Sequence, residues 1–143
     1  MKGILVLCEG NICRSPMGAA LLARGLPDVR VQSAGLNALV GSPADKAAVE
    51  LMRERGLDIT GHRALQVTRA ICQDADMVLV MDAEQRKRLL EQYPEARGKV
   101  FRMGEYTDLD VPDPYRQPMQ AFRNSLTILD VGIQHWLRRI QRL

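Results

Sequence analysis

A cysteine and an arginine stand close together in the segment "CEGNICRS", which covers residues 8–15 near the start of the chain. Arg14 follows Cys8 by six positions, and Ser15 comes directly after the arginine. A thiol near a guanidinium group loses its proton readily and becomes a nucleophile. The planar guanidinium can hold two oxygens of a phosphate group at once, which a lysine cannot do. The residue types and their spacing therefore indicate the chemistry of covalent phosphoryl transfer.

The elements around this segment must bring the two side chains together. Residues 2–7 read as a buried strand, and Ser15 and Pro16 fit the cap and the first turn of a helix. A tight strand-to-helix loop can point its backbone N–H groups inward, where they and the helix N-terminus attract an anion. The residues predicted to bind the substrate through this loop are Glu9, Gly10, Asn11, Ile12, Cys13 and Ser15.

Three alternative roles for this segment fit fewer of its residues. A nucleotide-binding loop requires the pattern G-x4-G-K-[ST], and neither that pattern nor its lysine is present. A redox pair usually has C-x-x-C spacing, whereas four residues separate Cys8 from Cys13. A buried structural cysteine would leave Arg14 and Ser15 in the same loop unexplained. We therefore favour the catalytic interpretation.

Strand-like and helix-like segments alternate along the rest of the chain, which indicates a parallel sheet covered by helices on both faces. The predicted segments are strands at 29–33, 77–81 and 99–103, and helices from Asp45 to Arg55 and from Asp82 to about Tyr93. Gly56 is the expected left-handed stop of the first of these helices. A final long helix carries an apolar stripe at steps of three and four, formed by Met119, Phe122, Leu126, Leu129, Ile133, Trp136 and Ile140. No linker divides the chain, so we expect residues 1–143 to form one α/β domain.

Charge and composition exclude several classes of protein. The 20 basic and 17 acidic side chains give a net charge of +3, too modest to indicate nucleic-acid binding. The apolar runs are too short for membrane insertion, and the N-terminus lacks the features of a signal peptide, so we expect a cytoplasmic protein. The three cysteines, Cys8, Cys13 and Cys72, do not suggest a disulfide framework, and the two histidines lie far from any zinc-binding pattern.

Several motifs in order resemble one known family. "CEGNICRSP" is similar to the N-terminal signature of the low-molecular-weight protein-tyrosine phosphatases, and the resemblance continues as "SAG" at 33–35, "GHRALQ" at 61–66, "VLVMD" at 78–82 and "VPDPY" at 111–115. It implies a four-stranded parallel sheet flanked by helices, and a reaction without metal or cofactor. "SAGLNALVGSPAD" is similar to the bacterial branch associated with capsule and exopolysaccharide production. In that branch the usual substrate is a tyrosine autokinase that carries phosphotyrosine, and phosphate is a product.

The predicted chemistry also requires an acid, because a tyrosyl leaving group departs poorly without a proton. The segment "DLDVPDPYRQP" offers Asp108, Asp110 and Asp113. Asp113 is preferred because prolines on both sides stiffen the chain around it. It also matches the general acid of the family's D-P-Y motif, and Tyr115 is expected to form a wall against the substrate ring.

Other residues are expected to support the loop. Asn11 tolerates a left-handed conformation and ties the loop through its side chain, and the resemblance makes Ser33 and His62 its partners. The Ser15 hydroxyl can donate to the Cys8 thiolate as well as cap the helix. Asp82 caps a helix and is expected to support the site. Cys13 fits either an inert apolar role or the reversible trapping of oxidised Cys8, and Cys72 is expected to be a buried helix residue.

Three residues depart from the family pattern. Glu9 follows the nucleophile where the family commonly has an apolar or small residue, and we expect its side chain to point toward the mouth of the site and meet basic residues of the substrate protein. Leu65 replaces a usual arginine, which removes an expected partner of the loop. Ala19 replaces a usual acidic residue.

Two other functions remain open for a chain with this pattern. Thiol-dependent arsenate reductase shares the fold, but its chemistry needs a relay of further cysteines, and Cys72 stands without a nearby partner. A non-catalytic phosphotyrosine-binding module would bind the same ligand without releasing phosphate. The presence of Cys8, Arg14 and Asp113 together favours the enzyme.

Overall fold

The computed structural model describes all residues, 1–143, and places four strands in one sheet. The elements in chain order are β1 (Gly3–Cys8), α1 (Arg14–Gly25), β2 (Arg30–Gly35), α2 (Lys46–Glu54), α3 (Arg69–Asp74), β3 (Met77–Val80), α4 (Ala83–Gln92), β4 (Val100–Arg102) and α5 (Met119–Gln141), with one 3-10 turn at Pro94–Ala96. The strand order is β2-β1-β3-β4, and every pairing is parallel. The carboxyl ends of all four strands therefore lie at one edge of the sheet.

The alternation of side chains along β1 divides the core into two layers. Ile4, Val6 and Cys8 belong to the layer that α1, α2 and α5 cover, whereas Leu5 and Leu7 belong to the layer on the α3 and α4 side. The apolar stripe of α5 packs into the first layer, and all of its residues except the partly buried Met119 are buried. The predicted α/β fold with helices on both faces of a parallel sheet is confirmed.

Several predicted boundaries are confirmed by their capping contacts. Asp45 caps α2 by accepting a hydrogen bond from the amide of Ala47, and Gly56 follows that helix with a φ of +76°. Asp82 caps α4 by accepting from the amide of Gln85. None of the helices combines the length and apolar character needed to cross a bilayer.

The prediction that Ser15 caps α1 is wrong. The helix begins at Arg14, its N-cap residue is Cys13, and no side chain caps it. Ser15 is fully buried and its hydroxyl is committed to contacts behind the loop, so it cannot turn back toward the amides of the first helical turn. Those amides consequently stay free of a side-chain cap at the edge of the sheet where the loop lies.

Candidate active site

The loop of residues 9–13 joins β1 to α1, and the carbonyl groups of residues 9–12 are held by other parts of the chain. The hydrogen bonds run from Asn37 N to Glu9 O (2.9 Å), from Leu39 N to Gly10 O (3.1 Å), from His62 Nε2 to Asn11 O (2.6 Å) and from Asp45 N to Ile12 O (2.8 Å). In contrast, the N–H groups of residues 9–13 donate to no backbone carbonyl. The carbonyl groups of the loop are thus bound to the surrounding chain, and its N–H groups remain available on the concave side.

This arrangement is suited to bind an anion through the backbone alone. Successive N–H groups that converge in a loop create a positive concavity, and the N-terminus of a helix adds the positive end of its dipole. Here the helix is α1, which starts directly after the loop. An oxyanion bound among these groups would be stabilised without any change of backbone conformation.

Asn11 fixes the shape of the loop. Its φ of +59° lies in the left-handed region, which asparagine tolerates better than most residues. Its side chain is fully buried, and Nδ2 donates to Ser15 Oγ (2.8 Å) and to Ser33 Oγ (3.0 Å). Oδ1 accepts from the amide of Leu65 (2.9 Å), and His62 binds the carbonyl of Asn11. The structure therefore brings Asn11, Ser33 and His62 together as expected, and none of the three side chains lines the cavity.

The thiol of Cys8 has one close polar neighbour. Its Sγ lies 2.9 Å from Ser15 Oγ, whereas the carbonyl of Ala34 is 3.5 Å from the same hydroxyl. Because Asn11 already donates to Ser15, the hydroxyl proton is free for another acceptor, and the sulfur is nearer than the carbonyl. Ser15 can therefore donate to a Cys8 thiolate. It does so from behind the loop, where it does not line the cavity.

The guanidinium of Arg14 is held rigidly under the site. Its side chain is 3% exposed, and Nη1 donates to the carbonyl of Val111 (2.8 Å). Nη1 lies 3.7 Å from Asp82 Oδ2, and Nη2 lies 3.5 Å from Asp113 Oδ2. Its Nε is buried and has no hydrogen-bond partner in the protein. An unpaired buried donor is costly, and a bound oxyanion would satisfy it.

The segment of residues 111–115 carries the predicted acid. Val111 is anchored by its amide to Met81 O (2.9 Å) and by its carbonyl to Arg14, while Ser125 Oγ donates to Pro112 O (2.9 Å). Asp113 Oδ1 accepts from the amide of Tyr115 (3.1 Å). These contacts hold the Asp113 carboxyl at the cavity.

The structure separates the three candidate acids. Asp108 and Asp110 both pair with Arg102, at 3.2 Å and 2.9 Å, on the far end of the segment. Only Asp113 lines the cavity that contains Cys8 and Arg14. Of the three carboxyl groups, Asp113 is therefore the one placed to exchange a proton with a bound substrate.

The cavity has a volume of about 160 Å³ and combines a polar floor with an apolar rim. Its lining residues are Cys8, Glu9, Gly10, Ile12, Cys13, Arg14, Asn37, Leu39, Asp113 and Tyr115. Ile12, Leu39 and Tyr115 supply the apolar surface, which suits a flat aromatic group above the anion-binding loop. No group of three or more His, Cys, Asp or Glu side chains in the molecule is arranged to hold a metal ion.

Asn37 and Leu39 are the lining residues that sequence reasoning missed. Both belong to the segment of residues 36–45, which follows β2 and also supplies three of the hydrogen bonds to the carbonyls of the loop. The available signal was the pair Leu39–Val40, two adjacent apolar residues in a segment without a strand or helix pattern. Both are exposed, at 41% and 68%.

Glu9 does not point freely toward a substrate, so that expectation is corrected. Its carboxylate forms two hydrogen bonds with the guanidinium of Arg88 on α4, from Nη1 (2.6 Å) and from Nη2 (3.2 Å). The two residues are separated by 79 positions in the sequence, and only the fold brings them together.

The loss of an arginine at position 65 does not remove support from the loop. Leu65 acts through its backbone, which donates to Asn11 Oδ1 and accepts from the amide of Gly35 (2.8 Å). Its side chain and Ala19 instead line a separate groove of about 470 Å³ along α1 and β2. The two departures from the family pattern thus alter one surface next to the site and leave the loop contacts in place.

The other two cysteines differ from Cys8 in their surroundings. All three thiols are free and buried. Burial, with smaller contributions from the negative charges of Asp45, Cys8 and Asp113, strongly raises the pKa of Cys13. Burial also raises the pKa of Cys72, which belongs to α3 and to the opposite core layer. Both thiols therefore stay protonated, and the expectation that Cys72 is a buried helix residue is confirmed.

Gly35, at the end of β2, lies against the backbone of the loop and has no room for a side chain. A Cβ at this position would lie 2.8 Å from the carbonyl oxygen of Glu9 and 3.0 Å from the Cα of Ala38. Gly35→Ala is expected to lower the free energy of unfolding by about 1–3 kcal/mol, because backbone atoms on both sides must shift. Urea denaturation measures the loss. Gly61→Ala, where a Cβ meets nothing within 4 Å, is the matched control, and equal stability of the two variants would contradict the prediction.

Fold and site together define a class of protein: a parallel α/β domain in which a cysteine ends the first strand inside an anion-binding loop, with an arginine below and a carboxyl group above. The sequence model described as "Low molecular weight phosphotyrosine protein phosphatase" matches residues 3–143. The chain belongs to this family, and its enzyme class is that of the protein-tyrosine phosphatases.

Individual proteins agree with this assignment. The chain is 48% identical to the "Probable low molecular weight protein-tyrosine-phosphatase EpsP" of Ralstonia solanacearum over 143 residues, which cover 100% of this chain and 99% of that protein. The structure of Vibrio vulnificus Wzb in complex with benzylphosphonate has a TM-score of 0.93 and 40% identity, covering 96% of this chain and 98% of that one. The YwlE arginine phosphatase of Geobacillus stearothermophilus also matches, with a TM-score of 0.92 and 35% identity over 99% of this chain and 94% of that one.

Proposed function

We propose that the protein hydrolyses phosphotyrosine in proteins through a cysteinyl-phosphate intermediate, with Cys8 as nucleophile, Arg14 as phosphate ligand and Asp113 as acid and base. The observation that carries the proposal is the joint placement of these three side chains around the free N–H groups of the loop. The substrate-binding contacts come from the backbone of residues 9–13, and the ring of the substrate packs on Tyr115. Neither a metal nor a cofactor takes part in the proposed reaction.

The first step transfers the phosphoryl group to sulfur. The Cys8 thiolate attacks phosphorus, and an S–P bond forms as the bond to the tyrosyl oxygen breaks. Asp113, in its acid form, gives its proton to that oxygen, so that tyrosine leaves as the neutral phenol. The N–H groups of the loop and the guanidinium of Arg14 stabilise the negative charge on the equatorial oxygens.

The second step releases phosphate. The Asp113 carboxylate takes a proton from a water molecule, which attacks phosphorus as the S–P bond breaks. The Ser15 hydroxyl, 2.9 Å from the sulfur, donates to Cys8 and makes the thiolate a better leaving group. Asp113 returns to its acid form, Cys8 returns to the thiolate, and inorganic phosphate leaves the loop.

Asp82, Ser33 and His62 are proposed to act through other residues. Asp82 neutralises part of the charge of Arg14 at 3.7 Å and caps α4. Ser33 and His62 hold the side chain and the carbonyl of Asn11. Cys13 lines the cavity as a protonated thiol, which is ready to pair with Cys8 only after Cys8 has been oxidised.

The physiological substrate is proposed from the sequence resemblance described above. It is a tyrosine autokinase that acts in exopolysaccharide production, dephosphorylated in the cytoplasm. Three buried free thiols suit a reducing compartment. This proposed role involves neither binding to nucleic acid nor insertion into a membrane.

The alternative of an arsenate reductase finds less support in the geometry. Cys8 and Cys13 belong to one core layer and Cys72 to the other, so the sheet separates the third thiol from the first two. A relay of cysteines would have to pass through the sheet. A binding module without activity would not require the anchored Asp113.

A panel of phosphorylated substrates tests the proposal against the arginine phosphatase activity named for a structural relative. A phosphotyrosine peptide is expected to be hydrolysed with a kcat/KM at least about 100-fold above that of phosphoarginine or phosphoserine peptides of the same sequence. The apolar rim of Ile12, Leu39 and Tyr115 suits an uncharged aromatic ring better than a guanidinium, which is charged and loses hydration against apolar side chains. Faster release of phosphate from phosphoarginine would overturn the assignment of the substrate.

A further inference from the structure

Glu9 places a negative charge on a loop that is otherwise built to attract an anion. Its backbone N–H is one of the free groups of the loop, and Glu9 lines the same cavity as Cys8 and Arg14. A carboxylate on a residue that lines this cavity repels a phosphate dianion bound there. An unpaired Glu9 would therefore weaken the binding that the other groups provide.

Arg88 is the group that meets this charge. It extends from α4, the helix that follows β3, and binds both oxygens of the Glu9 carboxylate through its two terminal nitrogens, at 2.6 Å and 3.2 Å. Two parallel hydrogen bonds of this kind fix the direction of a carboxylate as well as neutralising it. Glu84, one turn away on α4, lies 3.7 Å from the same guanidinium, but it is largely exposed and its charge is screened by water.

The pair has little value for the stability of the fold. Both side chains keep more than a third of their surface exposed, and ion pairs of that kind contribute little to folding. Arg88 itself is only half-buried on α4. The pair is therefore expected to act on the electrostatics of the cavity that Glu9 lines.

We propose that Arg88 is a positioning residue: it holds the Glu9 carboxylate against α4 and cancels its charge, so that the loop keeps its affinity for a phosphoryl group. This inference rests on the proposed function of the loop. Arg88 itself touches neither phosphate nor the reacting atoms. Hydrogen bonding to Glu9 raises the pKa of Arg88 above its ordinary value, so the cation persists over the whole working range of pH.

Four variants and the wild-type protein separate this role from a structural one. Arg88→Met removes the charge and keeps the apolar stem, Glu9→Gln removes the opposing charge, and Glu9→Gln/Arg88→Met combines them. Lys87→Met removes a positive charge from the adjacent, exposed position of α4 and is the matched control. Calorimetric titration with inorganic phosphate gives Kd without turnover, p-nitrophenyl phosphate gives KM and kcat, and thermal melts report folding.

Arg88→Met is expected to raise the Kd for phosphate and the KM about three- to tenfold, with kcat changed less than about twofold. The unpaired Glu9 carboxylate repels the bound substrate and the transition state to a similar extent, so binding weakens and the chemical step does not. Adding Glu9→Gln to this variant is expected to restore both constants to those of Glu9→Gln alone. Lys87→Met should retain the wild-type constants. An unchanged Kd in Arg88→Met, an equal rise in Lys87→Met, or a double variant that binds phosphate as weakly as Arg88→Met would each overturn the inference.

The outcome is distinguishable from a failure of the proposed function. Should Arg88→Met melt early, Arg88→Gln removes the same charge with a polar side chain and takes its place in the comparison with Glu9→Gln and the double variant. If the wild-type protein binds phosphate with the expected dependence on Arg88 but releases none from phosphotyrosine, the proposed function fails and the inference stands. If it hydrolyses phosphotyrosine and Arg88→Met binds phosphate normally, the reverse holds.

Discussion

Replacing Cys8 with serine is expected to lower the hydrolysis of p-nitrophenyl phosphate by at least about 10⁴-fold, because a serine hydroxyl in this loop has no general base to activate it. Ser15, the close polar neighbour of the sulfur, is itself a hydroxyl that already accepts from Asn11. Steady-state release of p-nitrophenol measures the effect. The variant should still bind inorganic phosphate, because the N–H groups of the loop and Arg14 remain.

Cys72→Ala is the control for this variant, since it removes a buried thiol from the opposite core layer. It is expected to keep the wild-type kcat. Rapid quenching of the wild-type enzyme with labelled substrate should also trap one phosphoryl group per chain, bound to Cys8. Activity that survives in Cys8→Ser, or a phosphoryl group found on another residue, would refute the proposed mechanism.

Asp113→Asn is expected to lower kcat by roughly two to four orders of magnitude, as for other residues that act as general acids. The size of the loss should depend on the leaving group. Tyrosinate is a much stronger base than p-nitrophenolate and gains more from a proton, so the loss should be larger for phosphotyrosine than for p-nitrophenyl phosphate. The ratio of the two losses is measured from the kcat values of both substrates.

Asp110→Asn is the matched control in the same segment. It removes one of the carboxylates bound to Arg102 and leaves the cavity unchanged, so wild-type kcat is expected with both substrates. A loss in Asp113→Asn that is equal for the two leaving groups would indicate a structural role of this carboxyl group. A leaving-group dependence in Asp110→Asn would move the acid to that position.

The elements of the fold could be predicted because their signals are local. Short apolar runs between helix-like segments predicted the strands, and the capping residues Asp45 and Asp82 start their helices as predicted. The stripe on α5 follows directly from helical periodicity. Ser15 failed as a cap because its hydroxyl had two better partners, Cys8 and Asn11, which only the folded loop brings within reach.

The candidate site could be predicted only where its residues are adjacent in sequence or belong to a known motif. Cys8, Arg14 and Asp113 satisfy one of these conditions, and the structure gathers them around one cavity. Arg88 satisfies neither, since it lies on an ordinary charged helix and its partner is far away in the sequence. The isolated sequence therefore left Glu9 as an unpaired charge.

The four hydrogen bonds to the carbonyls of the loop fix its backbone without using the side chains of the cavity rim. In the proposed function, the loop binds the phosphoryl group and the rim contacts the residue that carries it. Leu39 contributes to both, since its backbone amide donates to the carbonyl of Gly10 and the residue lines the cavity rim. A lineage with this architecture can change the phosphorylated residue it accepts by substitutions at the rim, without rebuilding its chemistry. A protein named as an arginine phosphatase has closely the same fold, which is an example of one architecture serving different phosphorylated residues.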